Sequence, residues 1–207
     1  MKKLIIIGAG GHGRETLWTA RRAGYQIVGF LDDTPELLGR ELLGCSIVGG
    51  IKDCDRYLDS QFIVALGSSR SRVKIVEVLK SRDVKFATVI DPDAMVDASV
   101  IVGEGTLICA GVICTTNIQI GKHCILNRLA TLGHDVKLGD FVSIAPSATV
   151  SGNVNIAEIV EIGAGAVIKE KIEIKRESIL GMGAVVLKDI PTRQVWVGNP
   201  ARYLKDA

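Results

Sequence analysis

Three histidines stand in this chain, and one of them, His134, is followed directly by a carboxylate, Asp135. A neutral imidazole near pH 7 can take the proton from an amine or hydroxyl nucleophile. An adjoining carboxylate can hold the ring's tautomer and raise its basicity, as it does in a triad. His134 is therefore the candidate general base and Asp135 its orienting partner. His123, in Gly121-Lys122-His123-Cys124, reads as a surface turn residue. A second centre lies near the N-terminus, where Gly8-x-Gly10-x-x-Gly13 has the spacing of a dinucleotide fingerprint and Asp32 follows about twenty residues on. Glycine N–H groups opening a helix bind phosphate of any kind. The candidates for a phosphorylated substrate are thus Gly10, Gly11 and His12, with Gly67 and Ser68 after a later strand and Asp32 and Asp33 for ribose or base.

Two kinds of element must position these residues. Every sixth residue from Val84 to Val186 is apolar, through Ile90, Val96, Ile108, Leu126, Leu132, Ile144 and Ile168 among others. A period of six fits neither a helix nor a two-faced strand. It fits a prism of three flat sheets in which each coil takes three hexads and turns one large apolar residue inward per hexad. Gly103, Gly121, Gly133, Gly139, Gly163 and Gly181 each follow an inward residue, as a tight corner requires. Small or β-branched types recur four positions on, as at Thr106, Ala130, Ala148 and Ala184. The reading is a left-handed parallel β-helix, with His134 projecting outward two residues after Leu132.

Ahead of the prism, strands at Lys3–Ile7, Gln26–Leu31 and Gln61–Leu66 alternate with helices over Arg14–Ala23 and Arg70–Arg82. Thr34–Gly50 reads as irregular and Ile51–Leu58 as a short helix. This is an α/β half-Rossmann domain. It is too short for the two mononucleotide halves of a dinucleotide fold, which suits a mononucleotide or sugar nucleotide better than a nicotinamide cofactor. The expected boundaries are 1–88 for this domain, 89–187 for the β-helix and 188–207 for a C-terminal tail lying along the prism.

Of the 207 residues 47% are apolar, ample for a core; the formal charge of +2 argues neither for nor against nucleic acid, and no Lys/Arg run builds a phosphate stripe. The N-terminal apolar run is too short for a membrane span and reads as a buried first strand. Five cysteines without CxxC spacing are expected as reduced, packed thiols in a cytoplasmic protein. A three-histidine zinc site cannot form within one β-helix, where only His123 and His134 fall. A trimeric carbonic anhydrase on the same prism, with ligands shared across subunits, is the remaining metal alternative, but His134 with its adjoining acid reads better as a base, and no metal is expected.

Taken together, Gly-Ala-Gly-Gly-His-Gly, Phe30-Leu31-Asp32-Asp33, the hexad run and the tail Val197-Gly198-Asn199-Pro200-Ala201-Arg202 resemble the sugar O-/N-acyltransferase family with hexapeptide repeats. That family includes the N-acetyltransferases of UDP-N-acetylbacillosamine and GDP-perosamine type and the sialic acid O-acetyltransferases, and the resemblance runs end to end. It implies an acetyl-CoA-dependent enzyme that acetylates the amine of a nucleotide-linked sugar. It also implies a homotrimer with acetyl-CoA between neighbouring prisms and the sugar nucleotide on the N-terminal domain. The Asn127…His134-Asp135 pattern carries the base. By the same resemblance, Gly152 supplies an oxyanion donor and Ser143, Ala164 and Met182 line the coenzyme slot; as basic tail residues, Arg202 and Lys205 are candidates to meet the coenzyme's phosphates, the alternative being that they are solvated. Arg128 and Leu129 depart from the small Thr/Ser residues usual after that Asn and bear on acceptor identity. The rival readings are O-acetylation of a sialic-acid-type sugar, a non-catalytic sugar-nucleotide-binding scaffold and, on the N-terminal third alone, a nicotinamide oxidoreductase.

Overall fold

The computed structural model describes residues 2–207 and divides into two compact units that meet between Pro92 and Asp93. In the first unit the elements run β1 (Lys3–Ile7), α1 (Gly11–Arg22), β2 (Gln26–Leu31), β3 (Glu41–Leu42), β4 (Cys45–Gly49), β5 (Gln61–Val64), α2 (Ser69–Lys80) and β6 (Lys85–Phe86). They form one sheet in the order β3-β4-β2-β1-β5-β6, parallel except for the β3–β4 hairpin. Leu4, Ile5, Ile6 and Ile7 are all fully buried, as expected of a central parallel strand covered on both faces. The chain leaves β1 toward β2 on one side and returns with β5 on the other, so the sheet order reverses at β1. Ligands of open α/β sheets bind at such a reversal, beyond the carboxyl ends of the strands.

Two parts of this unit differ from the sequence reading. The stretch 34–50 is not irregular throughout: β3 and β4 form a hairpin through Gly44, at φ 69°, and β4 extends the parallel sheet beside β2. Helix α1 starts at Gly11, inside the glycine cluster; a Cβ on Gly13 in its first turn would fall 2.0 Å from the Gly8 carbonyl oxygen, so only glycine lets the turn pack on the strand end. At its far end Arg22 forks onto the buried Asp91 carboxylate at 2.9 and 3.1 Å.

The second unit is the left-handed parallel β-helix. Its two-residue strands stack into three parallel faces. One face runs through Leu107–Ile108, Ile125–Leu126, Ser143–Ile144, Glu161–Ile162 and Ile179–Leu180. The second runs through Met95–Val96, Ile113–Cys114, Thr131–Leu132, Thr149–Val150, Val167–Ile168 and Val185–Val186. The third runs from Ile101–Val102 to Glu173–Ile174. Thr131 pairs with Thr149 and Leu132 with Val150, the offset of three hexads per coil. The second residue of each strand faces inward, and together they form one continuous apolar core. That buried register begins at Ile108; Val96 and Val102 are half-buried and pack against its end, while Val84 and Ile90 keep the spacing but lie in the first unit, half-buried and exposed respectively.

The recurrent glycines serve the stacking of coils rather than the turn angle. A Cβ on Gly103, Gly121 or Gly163 would fall 2.6 Å from backbone atoms of the next coil. The left-handed residue of each corner is two positions further on and is usually not glycine: Asn117, His123, Leu129, Asp135, Phe141 and Asn153 all have φ between 54° and 61°. His123 is not a surface residue. It is 3% exposed and stacked on Phe141 with ring centroids 5.1 Å apart, because Gly105 in the preceding coil leaves it room.

Residues 188–207 do more than lie along the prism. Gln194–Val197 adds in parallel to Ile179–Leu180, and Arg202–Asp206 returns antiparallel to it. Trp196, 6% exposed, joins the core cluster at the end of the prism, where an apolar coil would otherwise face water. No helix among the described residues is long and apolar enough to cross a membrane.

Candidate active site

His134 and Asp135 sit on the corner between the second and third faces. The left-handed backbone at Asp135, φ 61°, turns its carboxylate alongside the preceding residue, and Oδ2 lies 2.7 Å from His134 Nδ1. A carboxylate only accepts, so Nδ1 carries the proton and Nε2 of the neutral ring presents its lone pair. The His134 side chain is 62% exposed, so that lone pair is open to an incoming group. The hydrogen bond from the ring, and then one from Asn117 Nδ2 at 2.5 Å, hold the Asp135 carboxyl below the usual carboxylate range. One coil on, Gly152 lies against the imidazole, with a hypothetical Cβ 2.5 Å from Nε2. Its own N–H takes no hydrogen-bond partner among the described residues.

Asn127, Ala164 and Met182 belong to a different corner, between the first and second faces. His134 is seven positions after Asn127, and since each hexad crosses one face, that spacing puts them on opposite edges of the second face. Asn127 turns its Oδ1 onto the Arg128 N–H at 2.8 Å. Leu129 is 62% exposed, and its Cδ2 would meet a Cβ on Gly111 below at 2.6 Å. Ala164 and Met182 follow in successive coils, joined through the Gly183 N–H to the Ala164 carbonyl at 2.8 Å. A Cβ on Gly165 or Gly183 would meet nothing within 4 Å, and Met182 beside them is 81% exposed. Open backbone flanked by an apolar side chain fits a narrow chain that carries amides, as the pantetheine arm of coenzyme A does. Ser143 lies on the first face, on the strand that enters this corner in the coil below Ala164. The Gly198–Ala201 turn is tied to Val185 by backbone bonds of 3.0 and 2.8 Å, which brings Arg202 beside the Met182 coil.

In the first unit the glycine loop and the Gly67-Ser68 loop adjoin at the carboxyl edge of β1 and β5. A Cβ on Gly8 would touch Leu66 at 2.8 Å, whereas Gly10, Gly11 and Gly67 border open space. Both loops open helices, α1 at Gly11 and α2 at Ser69, so two sets of N–H groups converge there. Ser68 caps α2 by accepting from the Ser71 N–H. The buried Arg72, which no sequence motif singles out, donates to the Leu66 and Gly67 carbonyls at 2.8 and 2.9 Å and fixes the second loop. His12 lies in the first turn of α1, with Nδ1 3.6 Å from Glu15.

Asp32 has its carboxylate engaged with its own chain, Oδ2 to the Ala9 N–H at 2.7 Å and Oδ1 to the Thr34 N–H at 2.9 Å. Burial raises its pKa, but these bonds outweigh it and leave the carboxyl below its ordinary value. Asp32 therefore braces the glycine loop. Asp33 uses Oδ1 on the Ile51 N–H at 2.7 Å and, with Thr34, Lys52, Val78 and Arg82, lines a cavity of about 610 Å³. A second cavity of about 420 Å³ adjoins it through Asp33, Thr34 and Ile51 and reaches Gly8 and Leu66. Among the described residues, no group of three or more His, Cys, Asp or Glu side chains could hold a metal ion.

Comparison with known proteins places this geometry. Residues 3–79 match the PglD N-terminal domain. The chain is 33% identical over 151 residues to GDP-perosamine N-acetyltransferase of Escherichia coli O157:H7, an alignment spanning 68% of this chain and 66% of that protein. Two solved structures resemble it along their whole length. PerB from Caulobacter crescentus, in complex with CoA and GDP-perosamine, superposes with a TM-score of 0.93 at 29% identity, covering 99% of this chain and 98% of that one. The acetyltransferase domain of PglB from Neisseria gonorrhoeae, in complex with acetyl coenzyme A, gives 0.92 at 35% identity, covering 98% and 99%. With a half-Rossmann unit, a hexapeptide-repeat β-helix and these relatives, the chain belongs to the sugar N-acyltransferase family.

Proposed function

We propose that this protein is a cytoplasmic, acetyl-CoA-dependent N-acetyltransferase that acts on the amine of a nucleotide-linked amino sugar. The observation that carries this reading is the His134–Asp135 pair, in which the carboxylate engages Nδ1 at 2.7 Å and the ring is open to solvent at a prism corner. The relatives support the substrate classes, since the Caulobacter structure holds CoA with GDP-perosamine and the Neisseria domain holds acetyl coenzyme A.

Bound acetyl-CoA supplies the acetyl group as a thioester. His134 Nε2 accepts the proton of the attacking amine, Asp135 stabilises the imidazolium that results, and as the C–S bond breaks the proton passes to the departing CoA sulfur. The Gly152 N–H is the donor nearest the ring for negative charge developing on an acyl oxygen. Ser143, Ala164, Met182 and the open backbone at Gly165 and Gly183 hold the coenzyme arm, and Arg202 meets its phosphates. In the first unit Gly10, Gly11, His12, Gly67 and Ser68 hold the nucleotide's phosphates, braced by Asp32. The larger cavity with Asp33 takes the base.

The working unit is a homotrimer. Outward residues of the second face, Met95, Ile113, Thr131, Thr149, Val167 and Val185, include no charge, and three of them are exposed large apolar side chains. A threefold axis in front of that face would cover it. Because His134 and Met182 flank the same face on opposite edges, such an axis also sets the base corner of each copy beside the coenzyme corner of its neighbour. Thiol release from acetyl-CoA with a panel of UDP-, GDP- and dTDP-linked amino sugars tests the activity. Release with an amino-sugar nucleotide is expected. Release only with free sialic acid, or no coenzyme binding at all, would contradict it.

A further inference from the structure

The His134–Asp135 pair is not held by its own corner alone. Asp135 Oδ1 accepts from Asn117 Nδ2 at 2.5 Å, one full coil below. The Asn117 N–H in turn donates to Ser99 Oγ at 2.8 Å, another coil down, and Ser99 Oγ donates to Asp97 Oδ1 at 2.6 Å. A chain of hydrogen bonds thus runs along one edge of the prism through three coils and ends at the imidazole. With Oδ1 taken by Asn117, the carboxylate cannot rotate freely, and Oδ2 remains aimed at His134 Nδ1 at 2.7 Å. The charged groups that face Asp135 are His134 and, on the following strand, Lys137; neither can replace a neutral donor on Oδ1 without changing the charge of the pair. Asn117 has φ 57°, a conformation that Asn tolerates better than most residues because its short polar side chain bonds locally. Its residue type therefore satisfies the backbone and the carboxylate at once.

We propose that Asn117 is a positioning residue for the acetyl transfer: it clamps the Asp135 carboxylate so that His134 keeps its proton on Nδ1 and presents Nε2. The clamp's catalytic meaning rests on the reading of His134 as the base. Ser99 and Asp97 serve the clamp by fixing the backbone of Asn117.

Two substitutions test this without straining the corner. Asn117→Gly keeps the left-handed backbone and removes the donor. Asn117→Asp keeps the shape and replaces the donor with a like charge. The expected result for Asn117→Gly is a kcat lower by roughly tenfold, as for loss of other orienting partners, with both KM values within about twofold. Asn117→Asp is expected to lower kcat further. In both variants ¹⁵N spectra of histidine-labelled protein, read without acceptor, should show His134 losing Nδ1–H tautomer while His12 and His123 stay put. An unchanged His134 tautomer in folded Asn117→Gly protein would overturn the proposal. His134→Ala separates this from failure of the underlying reading: if that variant stays active, the base assignment fails whatever Asn117 does to the ring.

Discussion

Gly152, one coil on, packs against the imidazole of His134 so closely that a single methyl group there would lie 2.5 Å from Nε2. The two residues are consecutive in space, not in sequence, since one coil of the prism separates them. Gly152 does not have a left-handed φ, so alanine is compatible with its backbone. Gly152→Ala should therefore displace the exposed ring without unfolding the corner. Activity is expected to fall by about 100-fold, the scale of a 1 Å misplacement of a catalytic group, with the melting temperature nearly unchanged. Steady-state kinetics beside circular dichroism melting check this, and full activity in the variant would show that the ring does not work from this position.

The division of the site between two corners predicts complementation. His134→Ala disables one edge of the second face, and Ala164→Trp blocks the other. Each variant alone should be inactive as a homotrimer. Trimers assembled from an equal mixture should regain activity at about a quarter of their sites, the fraction pairing two intact edges across a subunit boundary. Recovery is measured as CoA release after co-expression. No recovery, with mixed trimers demonstrated by native mass spectrometry, would place the whole site within one chain.

Asp32 links acid stability to the glycine loop. Its folded pKa lies below the ordinary carboxylate value, so its bonds to Ala9 and Thr34 are present above about pH 4. They are lost as the pH falls through the folded pKa. Asp32→Asn should melt at lower temperature than the parent at pH 7, and the two should converge below about pH 4. Melting curves from pH 7 to pH 3 read this directly; a gap that persists undiminished in acid would mean that Asp32 acts through shape alone.

Burial pushes the Cys114 thiol up to about 12. At pH 8 its thiolate fraction is roughly one part in ten thousand, so native protein should take no iodoacetamide at this position. Stability from the buried thiol is present below the unfolded thiol pKa of about 8.5 and is lost as pH rises toward the folded value. Peptide mapping after alkylation checks the first point, and rapid native labelling of Cys114 would contradict its place in the prism core.

Much of the fold is legible in the chain because a prism interior leaves so little choice. One inward side chain per hexad forces an apolar residue at every sixth position, and the register carries His134 to a corner with its ring outward. The site itself was only partly legible. The pattern Asn127…His134 looks like one cluster on paper, yet a step of seven positions crosses a whole face and parts the two. Asn117 and Gly152, which do meet His134 and Asp135, are about one coil away and invisible to local motif reading. The left-handed corner residues carry no shared signal, since Leu129, Phe141 and Ile159 fill them as readily as Asn or Gly. His123 went astray for the same reason: its burial depends on Gly105, eighteen residues earlier and directly below it. Asp32 matched the ribose position of a dinucleotide fold by spacing, but its carboxylate is engaged in bracing Ala9.

The most direct test of the central claim is the turnover of His134→Ala with saturating acetyl-CoA and the best amino-sugar nucleotide. Loss of a general base predicts kcat lower by at least about 100-fold, with coenzyme binding retained in calorimetry. Turnover close to that of the parent would contradict the assignment of His134 as the base.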